Sequence, residues 1–295
     1  MTQTSYNPSA DGLLRVSKSS FMLYNTCPRK YWWQHIGLPD IREPPTPEMI
    51  RGTNIHKIAE AVLTTDGATA VRQKAYQMLK DMDMHITDMF MDETLASLDE
   101  QIRSRFGEYE VIMCEEKISA LDDKHNVMLV GSLDGVLRFW HTDDEGNKHE
   151  YIALVEVKTG NWSTGKLART RRELCFYTKL LHHYNGLTPT HFLYITPDYN
   201  PQNDAYKMVD DFRSRKNKHV VQSDIRSGVA WMERINPRSI NAFMKAYDRT
   251  IEGIQSLDFN IRWNDYYCGQ YCSYMVQCEP EMMGLADDPT KEEQG

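Results

Sequence analysis

Polar and apolar positions change their period three times along this chain. Residues 1–16 are polar and read as a loose N-terminus. Ser17 or Ser19 is placed to cap a helix carrying FMLYNTCPRKYWWQHIG, which Pro28 breaks or bends. IREPPTPEMIRG reads as a proline-rich loop. In NIHKIAEAVL, Ile55, Ile58, Ala59 and Val62 make one helical stripe. From residue 70 to 106, Met and Leu recur at three and four residues, predicting a helical insertion over about 62–106. The period then drops to two. YEVIMCEEKISA, NVMLVGSLDGVLRFW and EYIALVEVKTG read as three strands, joined through the turns DDKHN and DDEGNK. A helix over roughly 165–184 follows, and THFLYITPDY is a fourth strand. Beyond the basic run FRSRKNKH, two helices split by Pro237 are expected over 224–256, then a cysteine-rich segment to 280 and a flexible acidic tail, 281–295. No internal repeat is present. The reading is one domain, 17–280, of α/β class.

Composition narrows the classes. The chain of 295 residues has 41% hydrophobic and 26% charged content, enough for a sizeable core without disulfides. No basic and then apolar leader is visible, and no apolar run reaches membrane-spanning length, so a cytoplasmic protein is expected. The net charge of −8 argues against indiscriminate coating of nucleic acid. It does not exclude a local basic groove. Between Lys158 and Val220 eleven Lys or Arg stand against five Asp or Glu, whereas Asp81 to Glu100 is strongly acidic.

Two acids interrupt apolar strands. Asp134 lies in VGSLDGVL and Glu156 in ALVEVKTG, where a buried strand would prefer none. Glu156 and Lys158 are two apart and share a face. E-x-K on a strand is often only a solvated face. A carboxylate from each of two neighbouring strands with a lysine beside them instead suits a hard divalent cation, which polarises a phosphoryl oxygen. Lys158 would position the nucleophile or stabilise developing charge. Glu115 and Glu116, on the preceding strand, are accessory carboxylates or edge-strand surface. No G-x-x-x-x-G-K-(S/T) loop occurs, so there is no helicase motor. Near the C-terminus Cys268, Cys272 and Cys278 are spaced C-x3-C-x5-C, one thiolate short of a zinc tetrahedron or an iron–sulfur ligand set. Cys114 and Cys175 read as small buried hydrophobes.

GSLDGVL followed by ALVEVKTG resembles motifs II and III of the PD-(D/E)XK nucleases, in the RecB-like branch, whose core order αβββαβ around a central mixed sheet matches the predicted elements. RGTNIHKIAE resembles the helical G-x-x-x-H motif of that branch. The resemblance implies a metal site of His56, Asp134, Glu156 and Val157, and catalytic roles for Asp134, Glu156, Lys158 and Tyr177. RRELCFYTKLL stands where the family carries Q-x-x-x-Y: Tyr177 matches the tyrosine, and Glu173 replaces the glutamine. An amide donates hydrogen bonds to DNA and a carboxylate does not; metal binding and a plain helix-surface acid both stay open for Glu173.

SKSSFMLYNTCPRKYWW resembles the opening of the branch's iron–sulfur members, among them CRISPR-associated RecB-like exonucleases and AddB-type nuclease domains. That likeness makes Cys27 the fourth ligand beside Cys268, Cys272 and Cys278 of a [4Fe–4S] cluster; those members use C-x2-C-x5-C, and zinc is the alternative. The tie would close a loop of about 240 residues. The expected activity is a Mg2+- or Mn2+-dependent DNA exonuclease on single-stranded ends, with a helicase or a replication or recombination partner supplying any unwinding. Lys166, Arg169, Arg171 and Arg172 would meet phosphates or form a solvated surface, and Trp162 would stack on a base or pack locally. A structure-specific endonuclease, an RNA-directed nuclease and a non-catalytic DNA-binding module are the other readings. The last of these leans on Glu173. In a virus-borne enzyme the compartment would be the host cytoplasm.

Overall fold

The computed structural model describes residues 12–39, 45–64, 73, 77, 98–142, 145–159, 164–196 and 230–292. Its elements run β1 (Leu14–Ser17), α1 (Lys18–Thr26), α2 (Pro28–Trp32), a π-helical turn (Trp33–Gly37), α3 (Pro47–Leu63), α4 (Leu98–Phe106), β2 (Tyr109–Asp122), β3 (Val127–Thr142) and β4 (Lys148–Val157). They continue with α5 (Thr164–Asn185), β5 (His191–Ile195), β6 (Ala230–Arg234), α6 (Pro237–Gln255), α7 (Asp265–Tyr271), α8 (Met275–Met282) and α9 (Pro289–Glu292). This is an α/β fold, as the periodicity predicts, with the mixed sheet that the resemblance implies. The chain forms two compact units, where the sequence suggests one domain. One unit is Met1–Pro44, Ser119–Gly131 and Asn241–Gly295; the other is Pro45–Ile118 and Ser132–Ile240. Strands β2 and β3 are long enough to contribute to both.

The second unit holds strand order β3-β4-β5-β6, with β2 on β3. β3 and β4 are antiparallel, from Thr142↔Lys148 to Gly135↔Val155. β4 and β5 are parallel, so their connection must cross the sheet, and α5 is that crossover. Ala153 to Val157 on β4 and Phe192 to Ile195 on β5 are buried without alternation, the signature of strands covered on both faces.

Strand β6 corrects the expectation of helix over 224–256. It pairs antiparallel with β5, and Trp231 stacks on Tyr194 at 4.0 Å. Pro237 opens α6 instead of splitting a helix, because a first-turn position has no amide bond to lose. The same rule moves the start of α3 forward: Pro47 is its first residue and the Thr46 hydroxyl caps Met49 N–H, so much of the expected loop is helix. Of the expected 62–106 insertion, α4 and the end of α3 are helical, and most of the rest lies outside the described residues.

In the first unit β1 pairs parallel with Val127–Val130 of β3. Residues 14–16, read as loose, are therefore strand: Val16 is fully buried and its neighbours bond the ladder. Ser17 caps α1 in a capping box with Ser20, and the helix breaks at Cys27 before Pro28, as expected. Phe243, Tyr247, Ile251 and Ile254 make the buried stripe of α6. Tyr24, Tyr31, Trp32, Ile254 and Phe259 form an aromatic cluster beside it. Arg29 is almost wholly buried; it donates to Phe259 O at 2.8 Å, Glu281 at 2.6 Å and Asp288 at 2.7 Å. Those bonds and α9 order the tail as far as residue 292, beyond what its acidic composition predicts. No described helix is long and apolar enough to cross a membrane.

Candidate functional site

The ladder between β3 and β4 stops at Gly135↔Val155. A Cβ on Gly135 would sit 3.3 Å from Val155 side-chain atoms, so glycine lets the strands close tightly at that last rung. One residue further Asp134 stands, and its Oδ2 accepts Val157 N–H at 2.7 Å. The carboxylate thus takes over a bond that the backbone gives up, and this fixes its direction. On the far side of β4, Lys158 N–H bonds Ile195 O at 2.9 Å, which steadies the strand end that carries Glu156 and Lys158.

Asp134 Oδ1 lies 3.5 Å from His56 Nδ1, and Glu115 Oε1 is also 3.5 Å from that nitrogen. Among the described residues, His56, Glu115 and Asp134 are the group of three possible ligands whose donor atoms lie within 4.8 Å of one another. Glu115 reaches this place through a strained backbone: φ is +48° in the middle of β2, a left-handed conformation that costs a non-glycine residue about 1–2 kcal/mol. Its neighbour Cys114 donates from Sγ to Asp134 O at 3.4 Å. The distortion turns Glu115 toward the histidine, while sequence alternation alone leaves its direction undecided. Burial lowers the proton affinity of His56, but the two carboxylates overcome that and lift its pKa to about 10. Burial and the surrounding carboxylates, Glu60 first, push the Cys114 thiol up to about 12.

Glu156 and Lys158 do share a face: the Lys158 ammonium lies 2.5 Å from Glu156 Oε1. Glu156 is outside the three-ligand group and is almost fully buried. Lys158 also donates to Glu173 Oε2 at 3.1 Å, and Arg169 Nε donates to Glu173 Oε1 at 3.1 Å. Glu173 is buried, not a helix-surface acid. Tyr177, one turn later on α5, is buried too.

The basic residues divide. Arg169 and Arg172 are exposed. Lys166 Nζ bonds Thr159 O at 2.5 Å, and Arg171 Nε bonds the buried Glu233 at 2.6 Å. Trp162 and the run 212–219 lie outside the described residues.

The first unit gathers the four cysteines. Cys27 sits in extended conformation at the break between α1 and α2. Cys268 lies in α7, capped by Asn264; Cys272 follows its end, and Cys278 lies in α8. All four line one small cavity, with Lys30 and Trp263 beside them. None is in a disulfide. Burial raises the Cys272 thiol and pushes Cys278 up to about 11. Cys175, as expected, is simply buried.

The chain matches the family model described as the PD-(D/E)XK nuclease superfamily over residues 15–279. No curated protein matches it.

Proposed function

The chain belongs to the PD-(D/E)XK nuclease superfamily, and on that premise we propose that it is a divalent-metal-dependent exonuclease acting on single-stranded DNA ends. The family itself implies a metal-dependent nuclease with DNA as substrate. The observation that carries the reading is the meeting of His56, Glu115 and Asp134 next to a strand end that presents Lys158. Two carboxylates and an imidazole suit Mg2+ or Mn2+. Glu156 and Val157, the latter through its main-chain carbonyl, are the further donors we assign. A bound divalent cation supplies Lewis-acid polarisation of the phosphoryl group and acidifies water. The protein supplies position. Asp134 is locked by Val157 N–H, and the Lys158 ammonium is held between Glu156 and Glu173, ready to stabilise charge that develops on the phosphoryl oxygens.

For the four cysteines we propose a [4Fe–4S] cluster that fastens the terminal segments. All four line one cavity, and four thiolates suit either an iron–sulfur cluster or zinc. Brown protein with stoichiometric iron and sulfide after anaerobic purification is the expected result; colourless protein with one zinc would replace the cluster by zinc.

The activity is tested with linear single-stranded DNA labelled at either end, beside a circular single strand, in Mn2+ or Mg2+. Loss of the linear strand alone is expected, and the label gives polarity. Cutting of the circle would make the enzyme an endonuclease. DNA binding without cutting in any metal would make it a binding module.

A further inference from the structure

Glu173 is the least ordinary member of this neighbourhood. A buried carboxylate is costly unless it is paired. This one is paired twice, with one cation on each oxygen: Oε2 takes Lys158 at 3.1 Å and Oε1 takes Arg169 at 3.1 Å. The two cations differ. The Lys158 side chain is one-quarter exposed and already bound to Glu156, whereas Arg169 is two-thirds exposed. Arg169 is bonded through Nε, which uses neither terminal nitrogen of its guanidinium. Those terminal groups are the fork that recognises a phosphate through two bonds.

We propose that Glu173 is a positioning residue that orients Arg169 as a phosphate clamp and ties it to Lys158, so that the strand is gripped in register with the lysine. The inference rests on the DNA-cleaving reading above. Its chemistry is specific to the acid. A glutamine has one acceptor oxygen and one amino group. It can serve one cation and must turn donors toward the other. Glu173→Gln therefore keeps the shape and loses one of the two bonds.

The test is a double-mutant cycle on binding of a labelled single-stranded oligonucleotide in EDTA at fixed salt, with cleavage measured separately in metal. In the native background, Arg169→Ala is expected to weaken binding about fivefold and to make the log–log salt slope shallower by about 0.7. In the Glu173→Gln background the same change is expected to cost less than about twofold, because neighbours that act together are not additive. Glu173→Gln alone is expected to lower kcat about tenfold with the melting temperature unchanged, since it loosens Lys158. An acid that acted only through its charge would give the opposite sign: neutralising it would tighten DNA binding. Tighter binding, or additive effects in the cycle, overturns the proposal. Should Glu173→Gln fail to fold, Arg169→Gln decides alone. Its side chain is exposed, and undiminished binding overturns the clamp. A native protein that neither binds nor cuts the strand removes the functional reading and this role with it. Native binding with additive mutations removes this role only.

Discussion

The two groups of candidate ligands in this molecule are held in opposite ways. His56, Glu115 and Asp134 stand on a seventeen-residue helix and two long strands; Val157 N–H fixes the Asp134 carboxylate and a left-handed backbone turns Glu115. The four cysteines stand at a helix break and on or beside two helices of seven and eight residues, the second with Pro280 inside. Helices that short are marginal by themselves. On the proposed reading, a metal at the first group would add chemistry to a place that the helix and strands already shape, and a metal at the second would add structure. Arg29 performs part of that work by bonding Phe259, Glu281 and Asp288.

The comparison breaks most sharply if chemistry and structure fail to separate. Lys158→Ala is expected to lower single-turnover cleavage about 1,000-fold, with the melting temperature and the metal content of the cysteine cavity unchanged. Loss of the second metal in that variant would mean that the two groups are not independent. Next in size, Cys27→Ser is expected to destabilise the protein by about 3 kcal/mol in denaturant unfolding and to release the bound metal. An unaltered midpoint and metal content would remove Cys27 from the ligand set. A smaller effect sharpens the picture of the preorganised group. Glu115→Gly and Glu115→Ala both remove the carboxylate beside His56 and should weaken Mn2+ binding in titration, but only glycine relieves the left-handed backbone, so Glu115→Gly should be about 1 kcal/mol more stable to unfolding than Glu115→Ala. Equal stability of the two variants would show that Glu115 is not strained.

A last effect concerns acid. His191 on β5 is pulled down to about 4 by burial and by Arg234. The unfolded chain takes up that proton near 6.5 and the folded chain only near 4, so stability is present above 6.5 and falls as pH drops through that window. His191→Gln should flatten the fall, as followed by circular dichroism. An identical acid profile would mean that other groups govern it.

Much of this was legible in the chain. The switch from period 3.6 to period 2 located β2, β3 and β4, and an acid within each apolar run marked Asp134 and Glu156. Glu115 was not fixed by pattern, because its direction depends on a backbone angle that alternation does not encode. The strand β6 was hidden for a related reason: AWMER carries no alternation, and only pairing with β5 and the Arg171–Glu233 contact make it a strand. The double pairing of Glu173 was half visible: Arg169 stands one helical turn before it, whereas Lys158 sits fifteen residues away on β4's end. Pro47 and Pro237 misled because proline is both a breaker and a first-turn residue.

The first unit is assembled from three separated stretches of chain, the last of which is Asn241–Gly295. During synthesis, Cys27 and Arg29 therefore emerge more than two hundred residues before Cys268, Phe259 or Glu281. Until then the aromatic surface of α1 and α2 lacks Phe243, Ile254 and Phe259, and late closure of such distant contacts is slow and open to aggregation. Recombinant yield should therefore depend on how soon the stretch Asn241–Gly295 follows α1 and α2 and on whether a chaperone reaches the chain first.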